Sequence, residues 1–207
     1  MTVRMRQSIG NTVAQTLLMG ALFAFINSIT QIVFDIFERP ALLGLVFACI
    51  AGPMALSSYA NSRLVGRFGS RAILLRALCV FTGVAALHLA VAATAGETLW
   101  SFALLQAATM ACFGLIGANA GALAMEPLGH IAGTASSIQG VITTVGGALI
   151  GFAIGQQFNG TTVPFLIGFT ACGLAALGVA VWANRQPCRD SHDEAEIDIQ
   201  ETATRPA

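Results

Sequence analysis

Six apolar runs, at residues 16–37, 42–60, 74–95, 99–121, 133–158 and 163–183, each come close to the roughly 20 residues that a helix needs to cross a bilayer. Short polar turns separate them, such as Glu38-Arg39-Pro40, Ala95-Gly96-Glu97, Glu126-Pro127-Leu128-Gly129-His130 and Asn159-Gly160-Thr161-Thr162. In hydrocarbon every backbone N–H and C=O must be satisfied within the protein, which leaves helices or a closed barrel. Barrel strands alternate apolar and polar residues, whereas these runs are continuous. Six transmembrane helices are therefore expected. Pro164 falls in the first turn of the sixth, where its missing N–H does no harm. Apolar residues make up 56% of the chain and charged residues only 10%, against about 25% charged in soluble domains. A water-soluble globule could not be covered with so little polar surface, so the expected class is an all-α membrane protein with lipid around it.

The charges set the expected orientation. There is no lysine, and the arginines cluster in Asn61-Ser62-Arg63-Leu64-Val65-Gly66-Arg67-Phe68-Gly69-Ser70-Arg71, read as a loop between the second and third runs. Arg4 and Arg6 at the start, Arg63, Arg67, Arg71 and Arg76 around that loop, and Arg185 and Arg189 after the last run fall on one side, with Arg39 alone opposite. The positive-inside rule then puts both termini in the cytoplasm of a cell whose inner membrane holds the chain. Three regions follow: a cytoplasmic segment at 1–15, a six-helix bundle at 16–183 and an acidic cytoplasmic tail at 184–207. The tail carries Asp190, Asp193, Glu194, Glu196, Asp198 and Glu201, has no aromatics, and is expected to be disordered. The first run is longer than a signal-peptide core of 7–15 residues and lacks a small-x-small site after it, so it is expected to be retained. No basic, aromatic-interleaved surface suggests nucleic acid. The cysteines are scattered singly, without C-x-x-C spacing, and read as small packing residues.

Polar and small residues inside the runs are the candidate functional positions. Asn27 and Gln31 lie four apart, on one helix face. Amides at membrane depth avoid lipid, so these two face either a wet substrate cavity or another helix. Gln106, Asn119 and Gln139 are further candidates of the same kind, and His88 is a lone histidine near the outer interface. Gly147, Gly151 and Gly155 form a double G-x-x-x-G stripe, which lets a neighbouring helix approach closely. No acid falls near the middle of any run, and no phosphate loop, H-E-x-x-H motif or Ser/His/Asp set occurs in plausible context. Enzymatic chemistry, metal binding and cofactors are not expected.

Two stretches carry a family resemblance. Leu64-Val65-Gly66-Arg67-Phe68-Gly69-Ser70-Arg71 resembles the second-half copy of the L-x-D-R-x-G-x-R loop of major facilitator superfamily transporters, with Gly66 where that loop has an acid. Ala132-Gly133-Thr134-Ala135-Ser136-Ser137 is similar to the A-G-T-A-S signature of its drug-efflux branch, and Phe25-Ile26-Asn27-Ser28 is a weaker third match. Over roughly residues 10 to 185 the chain resembles the C-terminal half of such a transporter, most closely the Bcr/CflA-type drug-resistance branch. The resemblance implies two inverted three-helix repeats, half of a twelve-span fold, with an N-terminal six-helix half or a second copy as partner. It implies drug/proton antiport by alternating access, with a small amphipathic substrate in a cavity to which Asn27, Gln31, Gln106 and Gln139 contribute. Arg63, Arg67, Gly69 and Arg71 would form a cytoplasmic latch. Two other readings stay open: an inactive or split fragment that acts as an assembly partner, and a sugar or metabolite exporter of the same fold.

Overall fold

The computed structural model describes residues 2–94 and 96–185. Six long helices account for nearly all of them: α1 Thr2–Gln31, α2 Leu43–Phe68, α3 Ser70–Thr94, α4 Leu99–Met125, α5 Ala132–Gly155 and α6 Val163–Ala183. All six are long and apolar enough to cross a membrane, and the described residues include no strand. The protein is an all-helical integral membrane protein.

Two stretches outside the expected spans are helical. Helix α1 begins at Thr2, so residues 2–15 are helical and continuous with the first span. Their polar side chains reach partners on other helices. Gln7 Nε2 donates to Glu126 Oε2 at 2.7 Å, Arg6 to the Arg185 carbonyl at 2.6 Å, and Asn11 and Asn184 exchange amide hydrogen bonds at 3.3 and 3.0 Å. Likewise the arginine-rich stretch is no loop: α2 runs through it to Phe68, and α3 starts at Ser70. Gly69 alone breaks the helix, at φ 73° and ψ 149°, a region that a side chain strongly disfavours. Its N–H caps α2 on the Val65 carbonyl. From Gln186 onward the acidic tail, expected to be disordered, lies outside the described residues.

The other ends follow from local chemistry. Helix α1 finishes in a π turn, Ile32–Ile36, and a short 3-10 turn, Pro40–Leu42, leads into α2. Gly96, at φ 70°, turns the chain toward α4, which Thr98 and Ser101 start with a reciprocal capping box. Gly160, at φ 81°, does the same before α6, where Asn159 Oδ1 accepts from the Thr161 amide.

Helix α1 packs along α5 and α6, α4 packs along α2 and α3, and α1 meets α4 and α3 meets α6 in the middle. Gly147 lies against Met19 and Gly151 against Phe23, so α1 and α5 run parallel. Gly114 brings α4 onto the Met54 carbonyl and Ser58 nitrogen of α2. The core is built from Leu18, Ile32, Ile50, Leu74, Phe81, Phe102, Ile116 and Phe169. A ladder of rings, Phe81–Phe169–Phe165–Phe102–His88, joins α3, α4 and α6 at centroid separations between 5.3 and 6.4 Å. Helices α2 and α5 are the least buried, with Leu45, Phe47, Leu56, Tyr59, Val141, Val145, Leu149 and Phe152 on their outer faces. Such surface is stable against lipid or another apolar helix face, not against water.

Candidate functional site

A polar stripe interrupts the apolar exterior of α1. Asn27, Thr30 and Gln31 are all exposed in the second half of the helix, and Asp35, exposed in the π turn, extends them toward the helix end. Thr30 adds a hydroxyl to the two amides expected from the four-residue spacing. Asp35 lies eight beyond Asn27 and so shares its face, a relation readable from spacing but hidden by its place at the end of the apolar run. The opposite face of the same segment is apolar and buried, through Ala24, Phe25, Ile29, Ile32 and Val33. Amide, hydroxyl and carboxylate groups can hold the polar end of a small molecule by hydrogen bonds while the neighbouring apolar faces hold the rest.

The four residues expected to line one cavity are not brought together. Asn27 and Gln31 are on the exposed stripe. Gln139 is buried between α5 and α1, where its Nε2 donates to Gln15 Oε1 at 2.7 Å. Gln106 is fully buried in α4, and neither its Nε2 nor its Oε1 has a protein partner. Asn119 bonds Asn61 Oδ1 across α4 and α2 at 2.7 Å. Together with Asn11–Asn184, these make amide ties at three helix contacts, each contributing on the order of 1 kcal/mol. They rank as glue.

The arginine stretch is open to its surroundings. Arg63 and Arg67 are exposed and Arg71 is half-buried. Arg63 lies over the Tyr59 ring, 5.9 Å from its centroid, and Arg76 lies over Phe68 at 5.7 Å. No arginine forms an ion pair among the described residues. Gly69 supplies the sharp corner between α2 and α3.

The glycine stripe has a clear contact. A Cβ at Gly147 would stand 2.8 Å from Met19 Cβ, and one at Gly151 would stand 2.5 Å from Phe23 Cβ and 2.8 Å from the Ala24 nitrogen. At Gly155 the nearest atom, Asn27 Cβ, would be 3.7 Å away. The stripe therefore closes tightly on α1 in mid-helix and opens where the polar stripe begins.

At the other end of the bundle, Glu97 forms a cluster that its place in a turn does not announce. His88 Nε2 lies 2.5 Å from Glu97 Oε1, and Thr162 donates to Glu97 Oε2 at 2.6 Å. The His88 and Glu97 side chains are 0% and 5% exposed, so the pair is sealed from solvent. It ties the end of α3, the turn before α4 and the start of α6. A turn acid reads as solvated, but His88 and Thr162, the latter 65 residues away, both close on this one.

The chain is 27% identical over 170 residues to a bicyclomycin resistance protein homolog of Haemophilus influenzae, an alignment that covers 82% of this chain and 42% of that protein. The chain thus spans about two fifths of the length of the curated relative it matches. No protein-family model matches it, and no solved structure does. The distant similarity runs over most of the six-helix bundle and agrees with the transporter resemblance carried by residues 64–71 and 132–137.

Proposed function

We propose that the chain is the C-terminal six-helix half of a secondary efflux carrier, exporting small amphipathic compounds across the inner membrane by alternating access, in exchange for protons. The observation that carries this is the stripe of Asn27, Thr30 and Gln31. Polar groups exposed at membrane depth are costly against lipid, so that face of α1 borders a wet path or a second protein unit. The similarity to a bicyclomycin resistance protein homolog favours a drug as the cargo.

Helix packing supports two inverted three-helix repeats. Exchanging α1 with α4, α2 with α5 and α3 with α6 turns the α1–α5 contact into α4–α2 and the α3–α4 contact into α6–α1, while α1–α4 and α3–α6 map onto themselves. In such carriers substrate sits at the repeat interface near the midplane, and rocking of one half on the other gives access to each side. The unburied faces of α2 and α5 are suited to meet an N-terminal six-helix unit, and α1 then lines the path between the halves. Arg63, Arg67 and Arg71, at the corner made by Gly69, serve as the cytoplasmic latch, with both termini on that side.

Drug-resistance measurement on cells making the chain alone, or together with an N-terminal six-helix half, tests the proposal. Resistance and lowered bicyclomycin accumulation are expected with both halves. Asn27→Ala combined with Gln31→Ala should lower export about 10-fold or more, since each lost hydrogen bond to a buried ligand group costs about 1 kcal/mol or more. Resistance no greater than that of the empty vector in both settings, from a chain inserted at normal levels, would overturn drug efflux and leave the assembly-partner and sugar or metabolite exporter readings.

A further inference from the structure

A cavity of about 990 Å³ opens at the arginine-bearing end of the bundle, among the ends of α1, α3, α4 and α6. Its floor is apolar, with Phe68, Leu75 and Leu123, and Arg71 and Arg185 stand in its wall. The one carboxylate lining it, Glu126, already accepts a hydrogen bond from Gln7. Arg6, Arg63, Arg67, Arg71, Arg76 and Arg185 all belong to this end, and none has a carboxylate partner among the described residues. An acidic occupant is called for.

We propose that the chain's own acidic segment, residues 190–201, is the occupant that docks in this cavity. Three observations single out this occupant. First, Arg185 is itself part of the cavity wall, so the first acid, Asp190, lies five residues away, within about 16 Å of extended chain. Second, the two arginines lining the cavity, Arg71 and Arg185, have no carboxylate partner among the described residues, and the segment brings six acids, Asp190, Asp193, Glu194, Glu196, Asp198 and Glu201. Third, Glu194, Glu196 and Asp198 alternate with Ala195, Ile197 and Ile199, a pattern suited to an arginine rim over an apolar floor. Attachment to α6 makes the encounter intramolecular, at an effective concentration on the order of millimolar, which favours the segment over a free anion of the same charge. Seated there, it bridges the end of α6 to the α2–α3 corner. The inference does not depend on what the protein transports.

Disulfide cross-linking in membranes tests it. Exposed Cys49 and Cys79, together with Cys188, are replaced by serine, and Ser70→Cys in the cavity wall is combined with Ala195→Cys in the acidic segment. With copper phenanthroline as oxidant, the intramolecular cross-link should form at least about tenfold faster than for the same chain with its six tail acids changed to amides. It should also slow at about 1 M salt, where the screening length falls to about 3 Å. Ser136→Cys, on the exposed start of α5, paired with Ala195→Cys should react at the slow, amide-variant rate. Equal rates for charged and neutral tails, or equal rates at positions 70 and 136, would overturn the proposal. So would a Ser70→Cys thiol shielded by phosphatidylglycerol but not phosphatidylcholine vesicles regardless of tail charge, because a lipid headgroup would then be the occupant.

Discussion

Glu97→Ala is expected to destabilise the bundle by about 2–5 kcal/mol, since two buried hydrogen-bond partners are left unsatisfied at about 1–3 kcal/mol each. Glu97 accepts from Thr162 and faces His88 in a site sealed from solvent, so its removal strands two polar groups at once. His88 Nδ1 already has no protein partner. The loss should therefore be far larger than that of an exposed acid such as Glu38, whose change to alanine should stay within about 0.5 kcal/mol. The double replacement His88→Leu with Glu97→Leu should recover most of the loss, since apolar groups of similar volume substitute well for a buried pair. Unfolding of the detergent-solubilised chain by denaturant titration measures all three. A Glu97→Ala chain as stable as the parent would show that the cluster holds nothing together.

Gly151→Leu should cost at least about 3 kcal/mol, at or above the usual penalty for overpacking. The obstacle at Gly151 is the backbone of α1 at Ala24 together with Phe23 Cβ, and neither can rotate away. Helices α1 and α5 would have to separate along the contact on which the bundle relies most. Gly140 is the control: it belongs to the same helix, and a Cβ there would meet nothing within 4 Å. Gly140→Leu should be neutral within about 0.5 kcal/mol, or gain slightly, because leucine is the better helix former. Equal effects at 140 and 151 would show that helix propensity, and not the close approach, governs the stripe.

The parts of this molecule legible in its sequence are those set by local pattern. Six bilayer-length runs gave six helices, the proline at 164 fell in the first turn of α6, and the Gly147–Gly151 spacing marked a real close contact. What could not be read depends on partners distant in the chain. Gln7, Asn11 and Arg6 look like a solvated leader until Glu126, Asn184 and the Arg185 carbonyl come within reach. Gln139 looks like Gln31 in sequence, yet Gln15 on α1 satisfies one and nothing covers the other. Glu97 looks like any turn acid until α6 delivers Thr162. The arginine stretch reads as a loop because charge usually ends a membrane span. Arginine is itself a good helix former, however, and a single glycine suffices for the corner.

The reach of water to α1 decides the central claim most directly. In cells carrying both halves, with Cys49, Cys79 and Cys188 replaced by serine, Asn27→Cys and Gln31→Cys should each react with a water-soluble thiol reagent. Leu104→Cys, on the exposed apolar side of α4, should react only with a membrane-soluble one. If positions 27 and 31 instead behave like position 104, the stripe faces lipid and α1 lines no transport path.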